Sequence, residues 1–337
     1  MYIEIKKNAD EKRLEKLKEE IKNKGFGVLD IFDENKRKIG ILGKEHLKLS
    51  DVLDEFSDIE EEVYYIKEPY KFVSREFKKS DTIIDIKGVK IGGDDFTLFA
   101  GPCSVENKDT LMEIAYEVKK NGGKVLRGGA FKPRTSPYDF QGLEEKGLMY
   151  MREACDKYDL LLCTEIMDTK NIDLVCKYAD ILQVGARNMQ NFSLLKDLGK
   201  VNKPILLKRG MAAKISDFLM AAEYLIAYGN KDIILCERGI RTFETMTRNT
   251  MDINGIALIK KLSHLPIIID ASHGTGIREL VEPVTLAGIM VGANGCMIEV
   301  HKNPACALSD GAQTLDFKMF EDATKNIIKT VNFVKTL

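Results

Sequence analysis

Apolar positions along the first 67 residues follow two different periods. Tyr2–Ile5 alternates as a strand does, and Leu14, Leu17 and Ile21 then recur at helical spacing within Asp10–Lys24, a helix stopped by Gly25. Two more strands are expected, Gly27–Phe32 and Lys38–Leu42, joined by the polar turn Asp33-Glu34-Asn35. A second helix around His46–Phe56 and a last strand around Glu62–Ile66 complete the unit. The order βαββαβ predicts a small ferredoxin-like domain over residues 1–67. Residues 68–94 read as a linker, in which Pro69 leads to Thr82–Ile91, a hairpin turning at Lys87-Gly88.

From Phe96 the pattern changes to strands alternating with helical stretches. The candidate strands are Phe96–Ala100, Lys124–Arg127, Leu160–Glu165, Ile181–Gly185, Pro204–Lys208, Asp232–Glu237, Pro266–Asp270 and Gly295–Glu299. Eight such units over roughly 240 residues are the usual content of a (β/α)8 barrel. The predicted class is therefore α/β, a (β/α)8 TIM barrel over residues 95–337 preceded by the small domain. A doubly wound open sheet would alternate in the same way. What favours the barrel is where the chemically capable residues fall.

Each proposed strand is apolar and ends in a polar group. VLRGG ends at Arg127, LQVGAR at Arg187, ILLKRG at Lys208 and Arg209, and ILCERG at Glu237 and Arg238; CMIEVH brings Glu299 and His301, and FKPRTSP supplies Lys132, Arg134 and Thr135. One cation after a strand is ordinarily a solvated loop charge. Cations from five strands on one rim would repel each other unless an anion compensates, and arginines match carboxylate or phosphate oxygens. So many suggest two anionic substrates. Alternation lets only one of Lys208 and Arg209 point inward, and likewise only one of Glu237 and Arg238.

Cys103 after the first strand, His273 after the seventh, Glu299 ending the eighth and Asp310 in the next loop could meet on the same rim. A thiolate, an imidazole and two carboxylates suit one divalent ion of the Mn, Fe, Co or Zn type. Cys155, Cys163, Cys176, Cys236 and Cys296 read instead as small hydrophobic residues, and Cys306 as a loop residue. His46 and His264 read as surface or helix-end residues.

Composition narrows the partners. Among 337 residues, 51 Lys and Arg face 52 Asp and Glu, for a formal charge of -1. That balance argues against nucleic acid as the main partner. The N-terminal stretch MYIEIKKNADEKRLEKL has no signal-peptide core and no apolar run approaches membrane-spanning length, so no membrane association is expected. Seven cysteines without CxxC spacing suit reduced thiols in the cytoplasm.

The stretches LFAGPCSVE, VLRGGAFKPRTSPYDFQG, QVGARNMQNF, LLKRG, LCERGIRTFE, SHGTG and IEVHKNP-ACALSDG, spanning about residues 66–320, resemble 3-deoxy-D-arabino-heptulosonate 7-phosphate (DAHP) synthases. The resemblance is to the form with a short N-terminal ferredoxin-like (ACT-like) regulatory domain. It implies a transferase at the start of the shikimate pathway to chorismate and the aromatic amino acids. It further implies that Cys103, His273, Glu299 and Asp310 hold the metal. Arg127, Lys132, Arg187, Lys208, Arg238 and the Ala186 N–H would bind phosphoenolpyruvate, and Arg134 and Thr135 the phosphate of erythrose 4-phosphate. Lys132 is expected to protonate the developing alkoxide or balance the carboxylate, and Glu165 to orient a water. Family habit points to a tetramer with feedback by tyrosine or phenylalanine at the small domain. The motif DASHGTG departs from the more usual DPSHSGG, which leaves the loop after His273 less defined. The alternatives are a 3-deoxy-D-manno-octulosonate 8-phosphate synthase, whose relatives carry a KANRSS-like loop in place of KPRTS, and an amino-acid sensor on an inactive barrel.

Overall fold

The computed structural model describes residues 1–43, 49–132, 138 and 140–337. At the N-terminus, β1 (Tyr2–Ile5), α1 (Glu11–Asn23), β2 (Gly27–Asp33), β3 (Lys36–Leu42), α2 (Ser50–Glu55) and β4 (Glu60–Tyr64) follow one another. The strands form one antiparallel sheet in the order β2-β3-β1-β4. Asp10 caps α1 by accepting from the Arg13 N–H, and Leu14, Leu17 and Ile21 on its inner stripe are buried against Ile3, Ile5, Ile39 and Ile41. The turn is tighter than the three residues expected. Asp33 pairs with Lys36, leaving Glu34 and Asn35, both at positive φ, as a two-residue loop whose twist matches the strands. The last strand starts and ends two residues earlier than predicted, and Ile66, past its end, is buried in the barrel-side core instead. Of the second predicted helix, residues 46–48, with His46, lie outside the described residues.

Next come the short strands β5 (Ile84–Ile86) and β6 (Val89–Ile91), paired across Lys87-Gly88, both at positive φ. The barrel follows: β7 (Thr97–Gly101), β8 (Val125–Arg127), β9 (Leu161–Glu165), β10 (Ile181–Val184), β11 (Ile205–Lys208), β12 (Ile233–Glu237), β13 (Ile267–Ile269) and β14 (Gly295–Glu299). All neighbours are parallel, and β14 pairs with β7 to close the cylinder. Outside it lie α3 (Lys108–Lys120), α4 (Glu144–Tyr158), α5 (Ile172–Tyr178), α6 (Phe192–Leu198), α7 (Ile215–Ala227), α8 (Ile253–Leu262), α10 (Arg278–Met290) and α11 (Phe317–Val334), with the short α9 (Ala271–Thr275) at the mouth. None of the described helices is long and apolar enough to cross a membrane.

Two apolar layers hold the barrel. Outward strand residues such as Leu126, Leu182 and Leu207 pack under the helices, while Phe99, Val125, Ile181, Leu206, Ile234, Ile268 and Met297 fill the lumen. Ile84, Ile86 and Ile91 of the hairpin join that inner layer and stopper the N-terminal end. The hairpin tip is fixed there by Lys87 Nζ, 2.7 Å from Asp180 Oδ1. The opposite mouth is left as the place for chemistry.

Between sheet and barrel, residues 68–83 form a strap. The Glu223 carboxylate on α7 accepts from the Phe72 and Val73 N–H groups at 2.9–3.1 Å. Asp33 accepts from Lys38 Nζ (2.8 Å), the Lys79 N–H and the Ser80 hydroxyl. His264, expected at the surface, is buried: Nε2 lies 2.8 Å from the Phe72 carbonyl and Nδ1 2.8 Å from Thr82 Oγ1. It does stand just past the end of α8, but the strap covers it. Burial, reinforced by nearby Lys78 and Arg75, pushes its pKa down to about 4.

The unfolded chain therefore binds the His264 proton more readily. Its contribution is complete above the ordinary pKa of 6.5 and is lost as pH falls toward 4, amounting to about 3 kcal/mol over that window. Urea unfolding at pH 7 and pH 4.5 is expected to show a smaller loss of stability in His264→Gln than in the parent chain. Equal losses would remove His264 as the cause.

Candidate active site

The C-terminal mouth holds a cavity of about 340 Å³. Strand ends build its floor. Arg127 closes β8, Glu165 closes β9, Lys208 closes β11 and Glu299 closes β14; Arg238 follows β12. Gly101, at the end of β7, has φ 152°, and a Cβ there would stand 2.1 Å from the Arg127 carbonyl. Only glycine lets the chain cross that close and turn into Pro102 and Cys103. At Gly185 a Cβ would stand 2.2 Å from Glu165 Oε1, so the missing side chain makes room for that carboxylate.

On one wall, Cys103, His273, Glu299 and Asp310 converge, their ligand atoms all within 4.8 Å of one another. A tetrahedral ion with ligand bonds near 2.0–2.3 Å needs its ligands roughly 3.5 Å apart, so little contraction is required. Cys103 Sγ lies 3.1 Å from Asp310 Oδ2, and His273 Nε2 lies 3.2 Å from Glu299 Oε1. Asp310 sits at φ 50°, a left-handed conformation tolerated by Asp and usual at functional loops rather than in regular structure. Burial pushes the Cys103 thiol up to about 12, with Glu299 adding to the effect. Burial would also raise Glu299 and Asp310, but His273 and Arg127 hold Glu299 low, and Asp310 is held low by the hydrogen bond it accepts from Cys103 and by the nearby His273. Two carboxylates thus stay ionised beside a thiol that only a cation would deprotonate, the chemistry of a metal-binding group.

Around this group the cations are arranged by hydrogen bonds. Arg127 Nη1 donates to Glu299 Oε1 (2.9 Å) and Nε to Gln183 Oε1 (3.3 Å). Lys132 Nζ reaches both the carbonyl and Sγ of Cys103, each at 3.1 Å. Lys208 Nζ lies 2.5 Å from Asp270 Oδ2. Arg238 Nη2 donates to the His273 carbonyl at 3.3 Å, while its buried Nη1 has no partner among the described residues. Burial, with Arg248 nearby, lowers the Arg238 pKa, so this guanidinium gains from any anion placed beside it.

Of the residues singled out from sequence, Arg127, Lys132, Glu165, Ala186, Arg187, Lys208, Arg238, His273 and Asp310 line the cavity, and Cys103 and Glu299 border it through the metal-type group. Arg134 and Thr135 lie outside the described residues. Strand alternation is obeyed: Lys208 turns inward, whereas Arg209 is buried the other way against Glu237 (2.7 Å) and Asp252 (2.8 Å). His301 shares the Glu299 side but is buried 3.6 Å from Glu106, outside the cavity lining. Cys155, Cys163, Cys236 and Cys296 are buried, Cys176 half-buried and Cys306 exposed.

Sequence reasoning missed Gln183, Asp270, Gln313 and the loop residues Arg241, Arg248 and Asn249. Gln313 Nε2 holds Glu299 Oε2 at 2.8 Å, and Arg248 Nη2 holds Asp310 Oδ1 at 3.0 Å. The Asn249 side chain donates to the His273 carbonyl. The segment that carries the last two lies against Gly274, where a Cβ would meet Met251 Cε at 2.1 Å.

A family model described as the DAHP synthetase I family matches residues 78–336. A phospho-2-dehydro-3-deoxyheptonate aldolase from Thermotoga maritima is 53% identical over 291 residues, 86% of each chain. A crystal structure of that name (DAHP synthase), also from Thermotoga maritima, superposes with a TM-score of 0.79 at 47% identity, covering 99% of this chain and 97% of the other. A 2-dehydro-3-deoxyphosphooctonate aldolase from Fusobacterium nucleatum is more distant, 30% identical over 75% of this chain and 99% of its own.

Proposed function

This chain belongs to the DAHP synthetase I family and catalyses the condensation of phosphoenolpyruvate with erythrose 4-phosphate to DAHP and inorganic phosphate; we propose that it does so with the cavity residues just described and one divalent metal ion. The observation that carries the site assignment is the buried Arg238 Nη1, without a partner among the described residues, in a cavity already lined by Arg127, Lys132 and Lys208. A cluster of that sign needs an anion with several oxygens.

Phosphoenolpyruvate is held by Arg127, Lys132, Arg187, Lys208 and Arg238, with the Ala186 N–H on its phosphate. Arg134 and Thr135 are assigned to the phosphate of erythrose 4-phosphate. Cys103, His273, Glu299 and Asp310 hold the ion, of the Mn, Fe, Co or Zn type, which when bound supplies Lewis-acid polarisation of the aldehyde oxygen. The enol carbon of phosphoenolpyruvate forms the new bond to the aldehyde carbon. Lys132, beside Cys103, gives its proton to the developing alkoxide. Glu165, held by Gln183 Nε2 at 3.3 Å, orients the water that adds to the cationic carbon left behind. The resulting hemiketal phosphate then releases phosphate by carbon–oxygen cleavage. Holding two anions in register removes several kcal/mol, roughly 7 or more, of encounter entropy from the barrier.

We also assign residues 1–67 to a ferredoxin-like regulatory domain, residues 68–94 to a linker and residues 95–337 to the catalytic barrel. The family match leaves the first 77 residues outside it. A truncated form of a 3-deoxy-D-arabino-heptulosonate 7-phosphate synthase from Thermotoga maritima matches 79% of this chain at 50% identity, with a TM-score of 0.74, a share compatible with a barrel that stands without the small domain. In a tetrameric assembly in the cytoplasm, an aromatic end product, tyrosine or phenylalanine, would inhibit by binding better to an arrangement in which the small domains cover the barrel mouth.

One assay tests these readings together. Phosphate release from phosphoenolpyruvate should be fast with erythrose 4-phosphate and slow with arabinose 5-phosphate, and an aromatic amino acid should inhibit the whole chain but not residues 68–337. A preference for the pentose would reassign the substrate. Inhibition that persists in residues 68–337 would take regulation away from the small domain.

A further inference from the structure

Asp270 follows β13 and caps α9, with no exposed surface. Its carboxylate, beneath the cavity, serves two partners at once. Oδ2 lies 2.5 Å from Lys208 Nζ, on the phosphoenolpyruvate side. His273 Nδ1 lies 2.8 Å from Oδ2 and 3.0 Å from Oδ1, and the His273 backbone N–H donates to Oδ1 at 3.1 Å. The other ring nitrogen, Nε2, is thereby turned toward Glu299 and the metal-type group. One buried carboxylate is shared between a substrate cation and a metal ligand.

We propose that Asp270 is a positioning residue that couples the affinity for phosphoenolpyruvate to the affinity for the metal. This rests on His273 being a metal ligand. An Nδ1–H held by a carboxylate leaves Nε2 as the lone-pair atom and makes the imidazole a better ligand. Lys208 draws on the same Oδ2 and takes part of that negative charge. An anion entering the cavity gives the Lys208 ammonium another acceptor, and the carboxylate charge returns to His273. Substrate binding therefore tightens the metal, and by linkage the metal tightens the substrate by the same factor. No atom need move by more than the length of a hydrogen bond.

The test is cobalt(II) titration of the metal-free protein, read by the thiolate-to-cobalt charge-transfer absorption, which requires no turnover. In the parent chain, saturating phosphoenolpyruvate should lower the cobalt Kd about fivefold or more. In Asp270→Asn, cobalt should bind about 10–100-fold more weakly and the effect of phosphoenolpyruvate should vanish, while Asp270→Glu recovers part of both. A folded Asp270→Asn protein that keeps the full effect overturns the proposal. If Asp270→Asn does not fold, Lys208→Met decides: removing the competing donor should give, without phosphoenolpyruvate, the tight cobalt binding that the parent shows with it. An unchanged Kd in Lys208→Met overturns the coupling. Unchanged cobalt affinity in His273→Ala would instead mean that the metal assignment is at fault.

Discussion

Cys103→Ala is expected to lower turnover by about a thousandfold or more, to abolish its dependence on added metal, and to leave the barrel folded. Losing a ligand that fixes a Lewis acid against the aldehyde oxygen removes several kcal/mol of transition-state stabilisation, and about 4 kcal/mol is a factor of a thousand. The side chain contributes little to packing, because its Sγ is engaged by Asp310 and Lys132 rather than by the apolar layer. Cobalt binding followed by absorbance, together with thermal unfolding, separates loss of the ion from loss of the fold. Full turnover by a metal-free Cys103→Ala protein would rule out the metal role.

For Lys132→Ala the expected loss is about 10²–10⁴-fold in kcat, the usual range for removing a positioned proton donor. Metal affinity should change far less, because the ammonium lies beside the thiol without being one of the ligands. The melting temperature should stay close to that of the parent, since the lysine is held by two contacts to a single residue. Lys132→Arg retains the charge but not the compact ammonium, and should restore phosphoenolpyruvate binding more than turnover. Steady-state kinetics of both variants check this, and unchanged kinetics in Lys132→Ala would take the residue out of the site.

The barrel was legible because its strands are buried on both faces. Each is a short, nearly continuous apolar run such as Ile267–Ile269, and all eight predicted runs fall on observed strands to within a residue or two. The inward cations were legible for a related reason: a polar residue terminating such a run stands at the mouth. The metal-type group was legible only as four strand-end and loop residues able to share a rim, since Cys103 and Asp310 meet across 207 residues of chain and no local spacing encodes that meeting; the family motifs gave the set its weight. Asp270 escaped notice because a carboxylate after a strand looks like an ordinary helix cap, which it also is. Arg241 and Arg248 lie in a loop without periodicity, and His264 looks exposed until the strap at Phe72 and Thr82 is placed over it.

The hairpin of Ile84–Ile91 has a bearing on traffic through the enzyme. With its isoleucines seated in the lumen, the hairpin closes one end of the cylinder and leaves, among the described residues, the opposite mouth as the way in. Two sugar- and enol-derived anions and a water must enter there, and phosphate and a seven-carbon acid must leave by the same route. Departing phosphate would pass Arg127, Arg187 and Arg238, the arginines assigned above to phosphoenolpyruvate, so on that assignment the two anions contend for one threshold and each turnover must be cleared before another begins.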